Sequence, residues 1–486
     1  MNSRGKYGYL AKNTLLFTIS SFGSKILTFL LVPLYTAILS TSDYGTADLI
    51  TTMATLLIYI FTINIADSVM RFTIDKNKKD GVFSYGIKVL LLGSILLMLF
   101  LVLFALKNIL KWNRYFYVFL FVNFFLVALN QILINYLRGI DKIKEVAVAG
   151  ILTTVFTIVS NLLLLVVFNW GLLGYLISTV VGVAISSLYA CLCIRKDIGK
   201  LLFEQPSLQT RKEMRQYSIP LIFNGIAWWI NNSLDKYFIL SICGTATNGI
   251  YAVASKIPAI LTVFQQIFSQ AWNLSAIKEF DPDDKDVFFG NTYTMYNAGL
   301  VLACSVLIYF NIPLARVLFS NDFFVAWRSS SVLLVSVLFS ALSGFVGCIF
   351  TAVKNSKVFA VSTITAAIIN TTLNVLLIPL YQEFGAAIAT AISFFVIWAI
   401  RYICAMKYIR WKINLFRDIL SYLLLAVQIT FERLLSSVWL YEAIVVLIIF
   451  ILYNKELKKI IRFTIEFINK KIRLRKRLER YNDDLS

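Results

Sequence analysis

Apolar runs of about 20 residues recur along this chain, the last ending near position 453. A run of that length crosses a bilayer as one α-helix. Inside hydrocarbon every backbone N–H and C=O must be paired within its own segment, so a series of such runs folds as a helical bundle. The composition agrees: 59% of residues are hydrophobic, 15% are charged, and the mean hydropathy is +0.77. A water-soluble surface around 486 residues needs far more charge than this. The pattern predicts an all-α integral membrane protein.

Fourteen spans are expected, over about 13–39, 46–70, 83–106, 115–138, 146–168, 171–194, 216–241, 249–274, 290–312, 328–353, 358–380, 384–406, 416–435 and 437–453. The loops are short, the longest running from Arg195 to Arg215, which leaves no room for an extramembrane domain. Arg4, Lys6 and Lys12 precede the first run as in a signal peptide, but no A-x-A site follows, so the run reads as a retained helix.

The charge is lopsided, with 46 Lys and Arg against 26 Asp and Glu, net +20. In a membrane protein this points to the positive-inside rule and not to nucleic acid. With the N-terminus inside, 37 flanking basic residues fall in inner segments and 6 in outer loops. Both termini are therefore expected in the cytoplasm. The three remaining basic residues, Lys25, Lys236 and Lys256, lie inside spans.

Absences narrow the chemistry. There is no histidine, hence no imidazole relay or imidazole-ligated metal. The cysteines Cys191, Cys193, Cys243, Cys304, Cys348 and Cys404 sit in apolar segments without ligand spacing. No GxxxxGK[ST] loop is present. The expectation is a protein that is not an enzyme, with no metal and no organic cofactor.

The chain repeats itself. The run from Lys144 to Phe168 overlies that from Lys357 to Tyr381 without a gap, matching Lys144 with Lys357 and Asn161 with Asn374. One residue of slip then brings Gly171 onto Gly385, and Tyr44-Gly45 echoes Asn248-Gly249-Ile250-Tyr251. Repeats six spans apart share a topology and are related by an axis along the membrane normal. The expected organisation is a six-helix lobe over 1–200, a second over 201–410 in pseudo-twofold relation to it, two additional helices over 411–453, and a basic amphipathic cytoplasmic tail over 454–486. That tail suits either anionic lipid on the inner leaflet or simple topological anchoring.

Polar residues inside a span are costly unless they face protein or water, so their spacing marks inward faces. Thr14, Thr18, Ser21, Lys25, Thr28 and Tyr35 follow one face of span 1, and Asp48, Thr52, Thr55, Tyr59 and Thr62 one face of span 2. Asn224, Trp228, Asn231 and Asp235 line span 7; Lys256, Gln266 and Gln270 line span 8; span 4 offers Gln131, Asn135 and Arg138. The threonines of span 2 also suit close helix packing. Lys236, near an outer end, either snorkels or faces a cavity, whereas Lys25 lies near mid-span, roughly 16 Å of helix from either end. Pro33, Pro220 and Pro258 interrupt spans 1, 7 and 8, the spans that carry the ionisable residues. Thr36 and Ser241 mark the expected outer gate.

Lys12-Asn13-Thr14-Leu15, Pro33-Leu34-Tyr35-Thr36, Asp43-Tyr44-Gly45, Leu234-Asp235-Lys236 and Gly249-Ile250-Tyr251 resemble the polysaccharide-transport proteins. These include the Wzx-type flippases of the multidrug/oligosaccharidyl-lipid/polysaccharide exporter superfamily. The resemblance covers about residues 10–410. It implies a bacterial inner-membrane protein that moves undecaprenyl-pyrophosphate-linked oligosaccharides from the cytoplasmic to the periplasmic leaflet by alternating access. The product would feed O-antigen, capsule or exopolysaccharide synthesis, with a polymerase and chain-length machinery as partners.

The residues suit that task. Lys25, Lys256 and Lys236 offer compact positive charge to a pyrophosphate. Asn224, Asn231, Gln266, Gln270, Trp228 and Tyr35 offer hydrogen bonds and flat faces to sugars. Coupling would come from a Na+ or H+ gradient, with Asp235 as its carboxylate, or from the drop in product on the far side. Three rivals stand beside this reading: a multidrug or ion antiporter of the same superfamily, a lipid II flippase, and a membrane polysaccharide polymerase or lipid-linked glycosyltransferase. The short outer loops argue against the last. A reporter active only in the periplasm should be silent when fused at the C-terminus and active when fused after Asn311; the reverse pattern would overturn the topology.

Overall fold

The computed structural model describes residues 29–75, 80–107, 113–278, 280–285, 287–353, 355–434 and 439–459; the side chains at 224, 227, 228, 231, 270, 271, 273–275, 277, 278 and 356 lie outside that description. The described residues form helices and no strand. In chain order these are α1 Val32–Ile38, α2 Thr41–Phe61, α3 Ile65–Ile74, α4 Val82–Leu106, α5 Arg114–Gly139, α6 Ile143–Asn161, α7 Gly171–Cys193, α8 Ile198–Phe203, α9 Leu208–Cys243 and α10 Thr245–Ala254. They continue as α11 Lys256–Lys278, α12 Phe288–Tyr309, α13 Asn311–Leu318, α14 Trp327–Ala352, α15 Ser356–Ala405, α16 Leu415–Leu434 and α17 Trp439–Leu452. Among the described residues eight helices are long and apolar enough to cross a bilayer, and the pair Thr245–Ala254 and Lys256–Ser269, bent by 44°, supplies a ninth if it is one span. The chain is a multi-pass membrane protein.

The ends of the helices follow local chemistry. Ser40 caps α2: its hydroxyl accepts from Asp43 N at 3.1 Å and donates to the Asp43 carboxylate at 2.7 Å. Ser207 caps α9 by accepting from Thr210 N at 3.0 Å, and Gly244 at φ +90° closes its other end. The spans expected over 358–380 and 384–406 meet at Gln382, where φ is 51°. The equivalent turn in the first half uses Asn169 at φ 55° and Gly171 at φ 51°. Asn161 and Asn374, the matched asparagines of the repeat, are both fully buried.

The prolines meet their spans in two ways. Pro33 and Pro258 stand in the first turns of α1 and α11, where the missing N–H costs nothing, and span 8 is bent by 44° just before Pro258, whereas Pro220 sits inside α9 without ending it. One expectation about continuity needs correction. Span 2, expected to be continuous over 46–70, breaks between α2 and α3, with Ile63 and Asn64 both left-handed at φ 48° and 50°. Nearby, Gly93 of α4 presses on α2 so closely that a Cβ there would stand 2.0 Å from the Phe61 carbonyl oxygen.

The chain forms two compact units. One runs to Val253 and takes in Val317–Val325 and Asn374–Glu383; the other comprises Ala254–Arg316, Ala326–Leu373 and the chain from Phe384 on. The repeat divides the sequence near 200, so α9 is by contact a member of the first unit. That unit is built around Ile50, Leu57, Val69, Leu97, Leu120 and Phe124. Leu92, Ile95, Leu99 and Leu103 of α4 are exposed, as a surface against lipid tails requires. In the second unit Trp272 stacks on Phe345 at 4.1 Å and donates its indole N–H to the Phe345 carbonyl at 3.1 Å.

Arg401 is also buried there, although the charge count placed it in a flanking loop. Its guanidinium donates to Ser362 Oγ, the Ser343 carbonyl and Thr363 Oγ1 at 3.0, 3.1 and 3.1 Å and lies 3.9 Å over the Phe359 ring. Arg401→Ala should cost about 2 kcal/mol through these lost contacts, read as a lower melting temperature of the purified protein.

Candidate functional site

In the first unit α9 and the start of α10 run antiparallel along α2 and α3. The seam begins at the end that the charge count predicts to face outward, where the Ser42 and Thr245 hydroxyls are 2.7 Å apart. It continues through Lys236 and Asp48, with Nζ–O distances of 3.0 and 2.9 Å, and through the Trp229 indole, which donates to the Thr52 carbonyl at 2.9 Å. Tyr59 lies against Gly225. At the inner end Ser68 reaches Ser218 Oγ at 2.7 Å and the Met214 carbonyl at 2.9 Å. Much of the polar face of span 2 is thus taken up in packing against a neighbouring helix.

The outer end closes unusually tightly. Thr41-x-x-x-Gly45 on α2 crosses Thr245-x-x-x-Gly249 on α10. A Cβ at Gly45 would stand 2.0 Å from the Thr245 carbonyl oxygen, and one at Gly249 would stand 1.9 Å from that of Thr41. Such spacing of small residues lets two helix backbones touch. The contact is reciprocal, residue for residue, as a local two-fold axis produces. Asn248 adds a side-chain bond from its Nδ2 to the Gly45 carbonyl at 3.0 Å. These are the glycines of the Tyr44-Gly45 and Asn248-Gly249 echo.

Beneath this crossing lies the ionisable group. Lys236 and Asp48 retain only 16% and 17% side-chain exposure, so the pair is largely shielded from water. The rings of Tyr44 and Tyr175 stand 5.9 Å apart, and Tyr237 meets the Trp229 ring at 5.1 Å. Tyr35 is buried edge-on against Tyr175 at 4.8 Å and beside Tyr44 at 6.3 Å, and Tyr44 in turn meets Phe323 at 5.8 Å. Asp235 does not neutralise Lys236. Its carboxylate accepts the Tyr251 hydroxyl and, at 3.0 Å, the Lys236 backbone N–H.

The structure therefore sets Lys236 on Asp48, with Asp235 next to it in the chain, and packs Tyr35 against Tyr44 and Tyr175. Asp48 was visible on the polar face of span 2, but its pairing with Lys236 depends on how two helices dock. Lys25 lies outside the described residues, as do the side chains of Asn224, Trp228, Asn231 and Gln270. Lys256 is half-buried and Gln266 exposed; both belong to the second unit and both are engaged in interactions. Thr36, expected at the outer gate, is tied into its surroundings. It is fully buried, donates to the Leu318 carbonyl at 2.9 Å and accepts from Ser320 N at 3.1 Å. The outermost pair of the seam is Ser42 with Thr245.

Comparison with known proteins agrees with this architecture. Residues 10–277 match the family model described as polysaccharide biosynthesis protein. A curated relative, the probable low-salt glycan biosynthesis flippase Agl15 of Haloferax volcanii, is 23% identical over 339 residues, which is 68% of this chain and 70% of that protein. Among solved structures, the lipid II flippase MurJ in an inward closed conformation superposes with a TM-score of 0.64 at 14% identity, covering 93% of this chain and all of that one. An inward-facing multidrug resistance transporter of the MATE family, within the MOP superfamily, gives 0.60 at 12% identity, covering 79% of this chain and 98% of that one.

Ser42→Cys with Thr245→Cys, in a chain lacking the six native cysteines, should oxidise to a disulfide visible as a gel shift. Adding Gly45→Leu, which wedges the crossing apart, should abolish that shift; an undiminished crosslink would mean the backbones need not touch.

Proposed function

The chain belongs to the polysaccharide biosynthesis protein family of the MOP superfamily, and on that premise we propose that it flips undecaprenyl-pyrophosphate-linked oligosaccharides from the cytoplasmic to the periplasmic leaflet of a bacterial inner membrane. The product serves O-antigen, capsule or exopolysaccharide assembly, with both termini cytoplasmic and a polymerase downstream. The observation that carries the proposal is the Lys236–Asp48 pair within the seam. In the closed seam the lysine is neutralised by a carboxylate. When the outer ends part, the lysine is released toward whatever anion the cavity holds, and a pyrophosphate headgroup carries the matching charge.

Lys25 and Lys256 supply the other cations of this site. Tyr35, Asn224, Trp228, Asn231, Gln266 and Gln270 meet the sugars. The basic tail from 454 rests on anionic lipid of the inner leaflet. Coupling to Na+ or H+ through Asp235 is part of the same proposal.

Surface polysaccharide in a strain lacking its own flippase reads the outcome. Lys25→Ala and Lys236→Ala should each abolish export while the protein accumulates, and Lys25→Arg should retain part of it. The Ser42→Cys, Thr245→Cys disulfide should stop export and reduction should restore it. Normal export by Lys25→Ala would remove that residue from the site. Rescue of a lipid II flippase-depleted strain, without polysaccharide export, would replace the proposed substrate with lipid II.

A further inference from the structure

The stretch from Arg195 to Arg215 joins the two six-span repeats, and the charge count predicts that it faces the cytoplasm. It is no slack connection. Ser84, in the first turn of α4, donates its hydroxyl to the Leu202 carbonyl of α8 at 2.9 Å. Gly81, at φ +70°, lies so close to the turn after α8 that a Cβ there would stand 2.1 Å from Pro206 N. Arg211 ties the same turn from α9, donating Nε to the Pro206 carbonyl at 3.2 Å and a second N–H to Gln205 Oε1 at 2.6 Å. Ile198 and Leu201 of α8 pack on the core of the first unit.

On that fixed backbone two large apolar side chains stand in the open. Phe203 is 85% exposed and Leu208 80% exposed. The contacts of Leu202, Gln205 and Pro206 fall between or beside them, so the chain cannot fold back to cover them. In water such a pair would be a liability. The charge around it is basic, with six Lys and Arg against three Asp and Glu from Arg195 to Arg215. Arg195, Lys196, Lys200, Lys212 and Arg215 are exposed.

The position of the segment adds a second observation. Ser84 and Gly81 fasten it to the beginning of α4, the helix whose Leu92, Ile95, Leu99 and Leu103 are exposed toward lipid tails. A short helix fixed at the inner end of a lipid-facing span, with apolar side chains outermost and lysines and arginines around them, has the make-up of an element that lies in the membrane interface. Anionic headgroups attract basic side chains held at that level.

We propose that α8 and the turn after it dock on an anionic lipid surface, the cytoplasmic leaflet, with Phe203 and Leu208 inserted among the upper acyl chains and the basic residues on the headgroups. The basic charge and the adjoining lipid-facing helix single out lipid as the occupant over a second copy of the chain or another protein. Through Ser84 and Gly81 this anchor holds the start of α4 at headgroup level. It lies in the first unit and is separate from the basic tail after 454. It does not rest on the flippase reading, so a measurement on reconstituted protein leaves the transport assignment untouched.

The test is spin labelling of the full chain in lipid vesicles. Phe203→Cys and Leu208→Cys, each in a chain lacking the six native cysteines, carry a nitroxide; both native side chains are exposed, so the label needs no room inside the fold. Leu99→Cys on α4 and Lys144→Cys at the start of α6 give the lipid and water references. Collision of the nitroxide with oxygen, which concentrates among acyl chains, is compared with collision with a water-soluble nickel chelate. In vesicles containing phosphatidylglycerol, the oxygen-to-nickel ratio at 203 and 208 should exceed that at 144 several-fold and approach that at 99. In phosphatidylcholine alone it should fall back toward the value at 144. Nickel access equal to that at 144 would overturn the proposal. So would shielding from both reagents, which would mean that protein covers the site. Equal ratios in the two lipids would overturn the part assigned to the basic residues.

Discussion

Two helix backbones in van der Waals contact are the constraint from which the rest of the first unit follows. Where Gly45 and Gly249 cross, no Cβ can be accommodated on either side. That approach brings α2 close enough to α10 for Ser42 to reach Thr245, and to α9 for Asp48 to reach Lys236. A lipid bilayer gives little hydrophobic reward for helix association, so packing at small residues and a few polar contacts must hold such a seam together. Those contacts are modest individually, and it is their number along the seam that holds it.

Carboxylates shielded from water in both units have specific partners. Asp48 takes the Lys236 ammonium at 2.9 and 3.0 Å. Asp418 accepts the Tyr453 hydroxyl through Oδ1, with the Arg417 guanidinium 3.3 Å away, while its Oδ2 has no hydrogen-bond donor among the described residues. Paired polar groups of this kind rigidify the helices that carry them.

Much of this was legible in the sequence because spans, repeats and polar faces are periodic. The turn at Gln382 falls in the expected gap between spans, and the matched pair Asn161 and Asn374 proves to be buried in both halves. What was not legible depends on how helices rotate against one another. The Asp48–Lys236 pairing joins residues 188 positions apart. Arg401 looked like an interfacial anchor because its neighbours in the chain are basic, yet it turns inward to two serines and a threonine. Thr36, placed at the expected gate, proves to be tied to Leu318 and Ser320. The helices α16 and α17 look like an appendage because nothing in the repeat matches them, yet Glu432 of α16 accepts from Asn311 and Ser331.

The break at Ile63 and Asn64 has a mechanical meaning. An uninterrupted helix fixes the angular phase of every residue along it, at 3.6 residues per turn. Two left-handed residues in succession reset that phase, so α3 begins afresh and turns Ser68 toward Ser218 independently of where α2 points Asp48. The seam is consequently two fasteners on one strap, each with its own angular setting, so where Ser68 meets Ser218 does not dictate where Asp48 meets Lys236.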